Sequence, residues 1–130
     1  MKILLIEDSR FLRLAIEKLL SKGGHEVACA ADGLDGLRAA RTAPPQLILL
    51  DMMLPGLDGT GVLERLKLDP LTAQIPVVVL TGLCQMNETK LKEAGAAAFI
   101  EKSSLNLESN PDGLIRTVER VLSKPAKVVG

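Results

Sequence analysis

Three short aliphatic runs constrain this chain more than any other feature. They are Lys2–Ile6, residues 46–50 and residues 77–80, and a polar residue follows each at once. An unbroken apolar run of about five residues is too short for a helix face and suits a strand buried on both faces. The run ending at Leu50 is the best buried strand in the sequence. The third opens after Pro76 with Val77, Val78 and Val79, whose branched side chains favour the extended state. Glu26–Ala30 and residues 96–100 supply two further strand candidates.

Between these runs the period becomes helical. Ser9 can cap a helix in which Phe11, Leu12, Ala15, Ile16, Leu19 and Leu20 form one apolar stripe, ended by Gly23-Gly24. Asp32-Gly33 marks a turn before a helix over 34–41, stopped by Pro44-Pro45. Residues 51–59, with Pro55-Gly56 and Asp58-Gly59, read as a loop, and a helix over 61–68 runs into Asp69-Pro70. A further helix over 87–94 ends at Gly95, and an amphipathic one over 114–122 starts near Asn110 or Pro111. Five strands alternating with five helices argue for a doubly wound α/β fold, a five-stranded parallel sheet with helices on both faces. Residues 1–123 make one domain, and residues 124–130, with Pro125 and no helical pattern, read as a flexible tail or linker stub.

Composition narrows the function. Hydrophobic residues are 47% of the chain but aromatics only 2%, so a core exists and must be aliphatic. Sixteen basic against sixteen acidic residues leave no broad positive field, which argues against direct nucleic-acid binding. Cys29 and Cys84 match no metal spacing and read as reduced thiols of a cytoplasmic protein. No apolar run approaches the ~20 residues of a membrane span, and the apolar start is too short for a signal peptide.

The polar residues at the ends of the strand runs carry the chemistry. Glu7 and Asp8 follow the first run, Asp51 the third strand, Thr81 the fourth, and Lys102 lies two residues past the fifth. In an open parallel sheet the strand C-termini share one edge, where ligands bind. Three carboxylates, a hydroxyl and an ammonium would therefore meet there. Clustered carboxylates repel, and a divalent cation relieves this. An oxygen-only donor set points to magnesium or manganese, with Asp8 and Asp51 as direct ligands and Glu7 acting through water. Asp51 is also the natural nucleophile, because a carboxylate can take a phosphoryl group as an acyl phosphate. Lys102 would neutralise the developing charge, and Thr81 could donate its hydroxyl to a phosphoryl oxygen once one is present. That bond would exist only in the modified state, which makes it a switch. Each residue has an ordinary reading. Glu7-Asp8 could be a charged turn, Asp51 a loop acid, Thr81 a strand-end hydroxyl, Lys102 a solvated lysine and Phe99 plain core. Their joint placement on one sheet edge argues against all of these together.

These residues resemble a known family, the receiver domains of two-component response regulators (the CheY-like superfamily). The motifs are Ile-Leu-Leu-Ile-Glu7-Asp8, Leu-Ile-Leu-Leu-Asp51-Met-Met-Leu-Pro55-Gly56-Leu-Asp58-Gly59, Val-Val-Val-Leu-Thr81-Gly82 and Ala-Phe99-Ile-Glu-Lys102, and the match covers roughly residues 2 to 123. The resemblance implies strand order 2-1-3-4-5 in a flavodoxin-like sheet. It implies that Asp51 accepts phosphate from a sensor histidine kinase or histidine phosphotransfer protein. It adds the backbone carbonyl of Met53 to the magnesium ligands, and it makes Phe99 the aromatic that rotates inward when Thr81 moves. The family's output face lies on the helix before the fifth strand, that strand and the helix after it, and phosphorylation can drive homodimerisation there. The output partner or missing effector domain is not named by these residues.

One position departs from the family. Lys-Pro with a cis peptide is usual at the end of the fifth strand, whereas Lys102 is followed by Ser103-Ser104. A cis bond at a non-proline residue costs ~2.5–4 kcal/mol, so this loop either bears that strain or takes a trans path. Met53 and Leu83 are apolar positions flanking the pocket, expected to restrict water and lengthen the phosphoryl lifetime. Three other readings compete. A phosphatase of the haloacid dehalogenase type places a second Asp two residues after the nucleophile, where this chain has Met53. A nucleotide- or flavin-binding protein wants a Gly-rich loop after the first strand, where this chain has Glu7-Asp8-Ser9-Arg10. The third is a scaffold that is never phosphorylated. The expected protein is instead a signalling switch, not a metabolic enzyme, catalysing only its own phosphorylation and autodephosphorylation.

Overall fold

The structure, a computed structural model, describes residues 1–52, 54, 58–81, 92–102 and 112–123. Its five strands are β1 (Lys2–Ile6), β2 (Glu26–Ala30), β3 (Leu47–Asp51), β4 (Val77–Thr81) and β5 (Ala98–Glu101). The helices with described bounds are α1 (Arg10–Lys22), α2 (Gly33–Thr42), α3 (Gly59–Leu68) and α4 (Asp112–Ser123). Every strand pair is parallel, and the order across the sheet is β2-β1-β3-β4-β5. The expected strand order is therefore observed. Of the helix expected over 87–94, only residues 92–94 are described. Residues 92 and 93 are helical, and Gly95 follows with φ +106°. The tail at 124–130 lies outside the described residues.

Alternation along each strand divides the core in two. Leu4, Ile6, Ile48, Leu50, Val77 and Val79 face Ala40 of α2 and Val62, Leu63 and Leu66 of α3. Ile3, Leu5, Leu47, Leu49, Val78, Leu80 and Ile100 face Ile16 and Leu20 of α1 and Leu114, Val118 and Val121 of α4. Strands covered on both faces need apolar residues at every position, which explains the continuous runs in β1, β3 and β4. β2 is an edge strand, and accordingly Glu26, Ala28 and Cys29 are exposed.

The helix caps sharpen the expected boundaries. Ser9 caps α1 by accepting from Leu12 N–H at 3.3 Å, as its position suggested. Asp32 and Asp58, expected in turns, are the N-caps of α2 and α3 and accept from Asp35 and Gly61 N–H. Capping by these acids starts each helix earlier than the apolar pattern alone suggests. Phe11 corrects the expected stripe on α1, because it is 81% exposed. It precedes the buried Leu20 by nine residues, about two and a half turns, so it lies on the opposite side of the helix.

Candidate functional site

β1 and β3 run side by side with Ile6 opposite Leu50, so their C-terminal ends deliver Glu7 and Asp51 to the same point. Asp51, expected just past the strand, is the last residue of β3 and pairs with Leu80 of β4. Asp8 follows in the turn to α1. One carboxylate oxygen from each of Glu7, Asp8 and Asp51 lies within 4.8 Å of the other two. Glu7 and Asp51 are fully buried and Asp8 is exposed, so the cluster has an inner wall and an outer rim.

Lys102 reaches this cluster from the end of β5. Its Nζ lies 3.0 Å from Asp51 Oδ1 and 3.3 Å from Glu7 Oε2. Ninety-five residues separate Lys102 from Glu7 in the chain, and the parallel sheet brings them together. Glu7 Oε1 also accepts from Ser9 N–H at 3.1 Å. Burial pushes the Glu7 carboxyl up to about 7, and the neighbouring Asp51 charge adds to the rise. Burial works to lower the Lys102 ammonium, but hydrogen bonding to Asp51 and the charges of Asp51 and Glu7 outweigh it and hold it above its ordinary value. The ammonium stays charged while the cluster holds more acid than it can neutralise.

This imbalance has a stability consequence. The folded Glu7 pKa of about 7 lies above the ordinary 4.5. The unfolded chain therefore ionises first as pH rises, and folding loses stability from about 4.5 upward through about 7. Glu7→Gln should come close to the metal-free wild type at pH 4, below the ordinary 4.5, and exceed it in stability at pH 8. Urea denaturation midpoints at the two pH values check this, and equal midpoints at pH 8 would refute it.

Thr81 ends β4 and is 3% exposed, one residue beyond the partner of Asp51. Phe99 lies opposite Val79 in β5 and packs, half-buried, against the α2–α3 side of the core. By alternation Thr81 belongs to the same side as Val79 and Phe99, so hydroxyl and ring share a sheet face. Met53, Leu83 and the Lys102–Ser103 peptide fall outside the described residues.

Two residues at the site have roles not assigned in the sequence analysis. Gly59 N–H donates to Met52 O at 3.2 Å, and a Cβ on Gly59 would come within 2.6 Å of the Asp51 carbonyl oxygen. Only glycine lets α3 abut the Asp51 backbone this closely. The second is Arg13, whose Nη1 donates to the Glu7 carbonyl at 3.0 Å. Helical side chains lean towards the N-terminus, so an arginine in the second turn of a helix capped at Ser9 reaches back to the strand it left. That spacing was the available signal.

A divalent cation fits this donor set. Three carboxylates converge, two of them buried, Lys102 offsets part of their charge, and the raised Glu7 pKa reports the excess. The donors are all oxygen, which suits magnesium or manganese.

Comparison with known proteins agrees with this geometry. The model of the response regulator receiver domain matches residues 3–109, and the chain belongs to that family. It is thus a receiver domain of two-component signalling. It is similar to the transcriptional regulatory protein AfsQ1 of Streptomyces coelicolor, with 48% identity over 80 residues, 62% of this chain and 34% of that protein. It is similar over nearly its whole length to protein PilH of Pseudomonas aeruginosa, with 31% identity over 123 residues, 94% of this chain and 98% of that one. The chain spans about half or less of several other relatives it matches. Among solved structures it resembles the receiver domain of the sensor histidine kinase PA1611 from Pseudomonas aeruginosa, described with a magnesium ion coordinated in its active site cleft. That match has TM-score 0.82 and 26% identity, and covers 95% of this chain and 98% of the other. Among the described residues no helix is long and apolar enough to cross a membrane.

Proposed function

We propose that this receiver domain is a phosphorylation-controlled switch in which Asp51 accepts a phosphoryl group from a phosphohistidine. The donor is a sensor histidine kinase or a histidine phosphotransfer protein. The observation that carries this reading is the buried Asp51 carboxylate with the Lys102 ammonium 3.0 Å from Oδ1. An Asp51 oxygen attacks phosphorus, an O–P bond forms, and the electron pair of the breaking P–N bond returns to the imidazole. Lys102 offsets the charge gathering on the transferring oxygens. Asp8, Asp51, the Met53 carbonyl and, through water, Glu7 would hold magnesium or manganese, which when bound supplies positive charge for the phosphoryl oxygens. The magnesium described for the PA1611 receiver domain supports that assignment.

The product carries new acceptor oxygens beside the end of β4. The Thr81 hydroxyl donates to one of them, drawing the end of β4 inward, and Phe99 on the same sheet face follows. Met53 and Leu83, which lie outside the described residues, would on this reading limit water's access to the acyl phosphate. The rearranged surface is read by an output protein, an attached effector domain or a second copy of the chain. The domain catalyses only its own phosphorylation and slow dephosphorylation, and it acts in the cytoplasm. Phosphoramidate, whose P–N bond mimics phosphohistidine, tests the acceptor. Incubation with magnesium followed by borohydride reduction should convert residue 51 to homoserine, as read by peptide mapping. Intact Asp51 with modification elsewhere would refute the assignment.

A further inference from the structure

We infer that Arg13 is a positioning residue for the acidic cluster, holding the Glu7–Asp8 peptide so that the Asp8 carboxylate is presented to Asp51. The inference rests on the metal-site reading above. Asp8 is exposed, and among the described residues none hydrogen-bonds or pairs with its carboxylate. Its place in the cluster is therefore set by its backbone. The peptide before Glu7 is pinned by Glu7 N–H donating to Ala30 O at 3.0 Å in β2. The peptide after it, which carries Asp8, is pinned by the Arg13 guanidinium donating to Glu7 O at 3.0 Å. With both flanking planes fixed, Glu7 has little rotational freedom left to pass on to Asp8.

The anchor is itself anchored. Arg13 N–H donates to Ser9 O at 2.8 Å in the first turn of α1, and the Ser9 side chain caps that turn. Arg13 is half-buried, and among the described residues no carboxylate pairs with it, so the carbonyl is its polar partner. A charge-assisted bond to a carbonyl is stronger than a neutral one, which suits holding the peptide that presents a ligand. Loss of a group that orients a metal ligand from behind typically costs about 10–100-fold in metal affinity.

The test measures manganese binding, from the loss of the free-ion electron paramagnetic resonance signal, on wild type, Arg13→Met and Arg13→Lys. Arg13→Met keeps the apolar stem and removes the donor, and its Kd for manganese should rise about tenfold. Arg13→Lys keeps a charged donor and should bind close to wild type. Phosphorylation of Arg13→Met by acetyl phosphate should need more magnesium yet reach the wild-type maximal rate, a split that general loosening of the fold would not produce. Should Arg13→Met fail to fold, Arg13→Leu, which also lacks a donor, takes its place with the same expected direction. If the folded variant binds manganese as tightly as wild type, or Arg13→Lys loses as much as Arg13→Met, the inference is wrong. A wild type that binds no manganese overturns the metal-site reading itself, and so separates the two failures.

Discussion

Lys102→Met is expected to slow phosphorylation of Asp51 by acetyl phosphate about 10²–10³-fold at saturating magnesium. The ammonium sits 3.0 Å from Asp51 Oδ1, and it is held charged because its attraction to Asp51 and Glu7 outweighs burial. Charge that develops on the transferring group would meet a donor already in place, without reorganisation of water. Loss of one such fixed donor is among the largest single-residue effects known in acyl and phosphoryl chemistry. The same substitution removes the ammonium that competes with a cation for the carboxylates, so manganese should bind more tightly to the variant. Slower chemistry with tighter metal binding is a pairing that a simple loss of structure does not give. Initial rates of phosphoprotein formation by mass spectrometry, beside a manganese titration, measure both. A rate within tenfold of wild type would show that Lys102 is only a structural counter-ion.

Leu50→Ala should destabilise the metal-free domain by about 2–5 kcal/mol. Leu50 is fully buried, sits in the middle strand of five, and pairs with Ile6 on one side and Val79 on the other. The cavity would open within the buried cluster that also holds Val62, Leu63 and Leu66, and a close-packed interior relaxes only partly around it. A domain of this size has only about 5–15 kcal/mol in total, so the loss is a large fraction. Because Leu50 immediately precedes Asp51, the variant should also loosen the site. A urea unfolding curve with unchanged slope and a lower midpoint is the expected result. An unchanged midpoint would mean that β3 is not the centre of the core.

The fold was legible where burial leaves no choice of residue. β1, β3 and β4 are covered on both faces, so their sequences contain almost nothing polar, and the run itself marks the strand. β2 was weaker because it is an edge strand with exposed Glu26, Ala28 and Cys29. Boundaries drifted where a polar residue serves the backbone. Asp58 reads as a loop residue until its carboxylate is seen capping α3, and the loop expected to open at Asp51 starts later because Asp51 still pairs with Leu80. The expected strand over 96–100 shifts to Ala98–Glu101, with Ala97 N–H bonding Val77 O just before it. Phe11 misled because hydrophobicity alone does not fix an angle around the helix axis.

The site was legible for a different reason. Glu7, Asp8, Asp51 and Lys102 each end or follow a strand, and a parallel sheet places all such ends together. What sequence could not supply was the backbone's share. Arg13 works through a carbonyl, which only its spacing from Ser9 hints at, and Gly59, though it ends one motif, works through the absence of a side chain. Nor does a sequence show that Glu7 is buried deeply enough for its carboxyl to rise to about 7.

The most direct test of the proposed switch is the intact mass of the protein after incubation with acetyl phosphate, with and without magnesium, for wild type and Asp51→Asn. The expected result is a gain of one phosphoryl group in the wild type only when magnesium is present, and no gain in Asp51→Asn under either condition. Equal phosphorylation of Asp51→Asn, or of the wild type without any divalent cation, would contradict the assignment of Asp51 and its acidic neighbours as a metal-assisted phosphoryl acceptor.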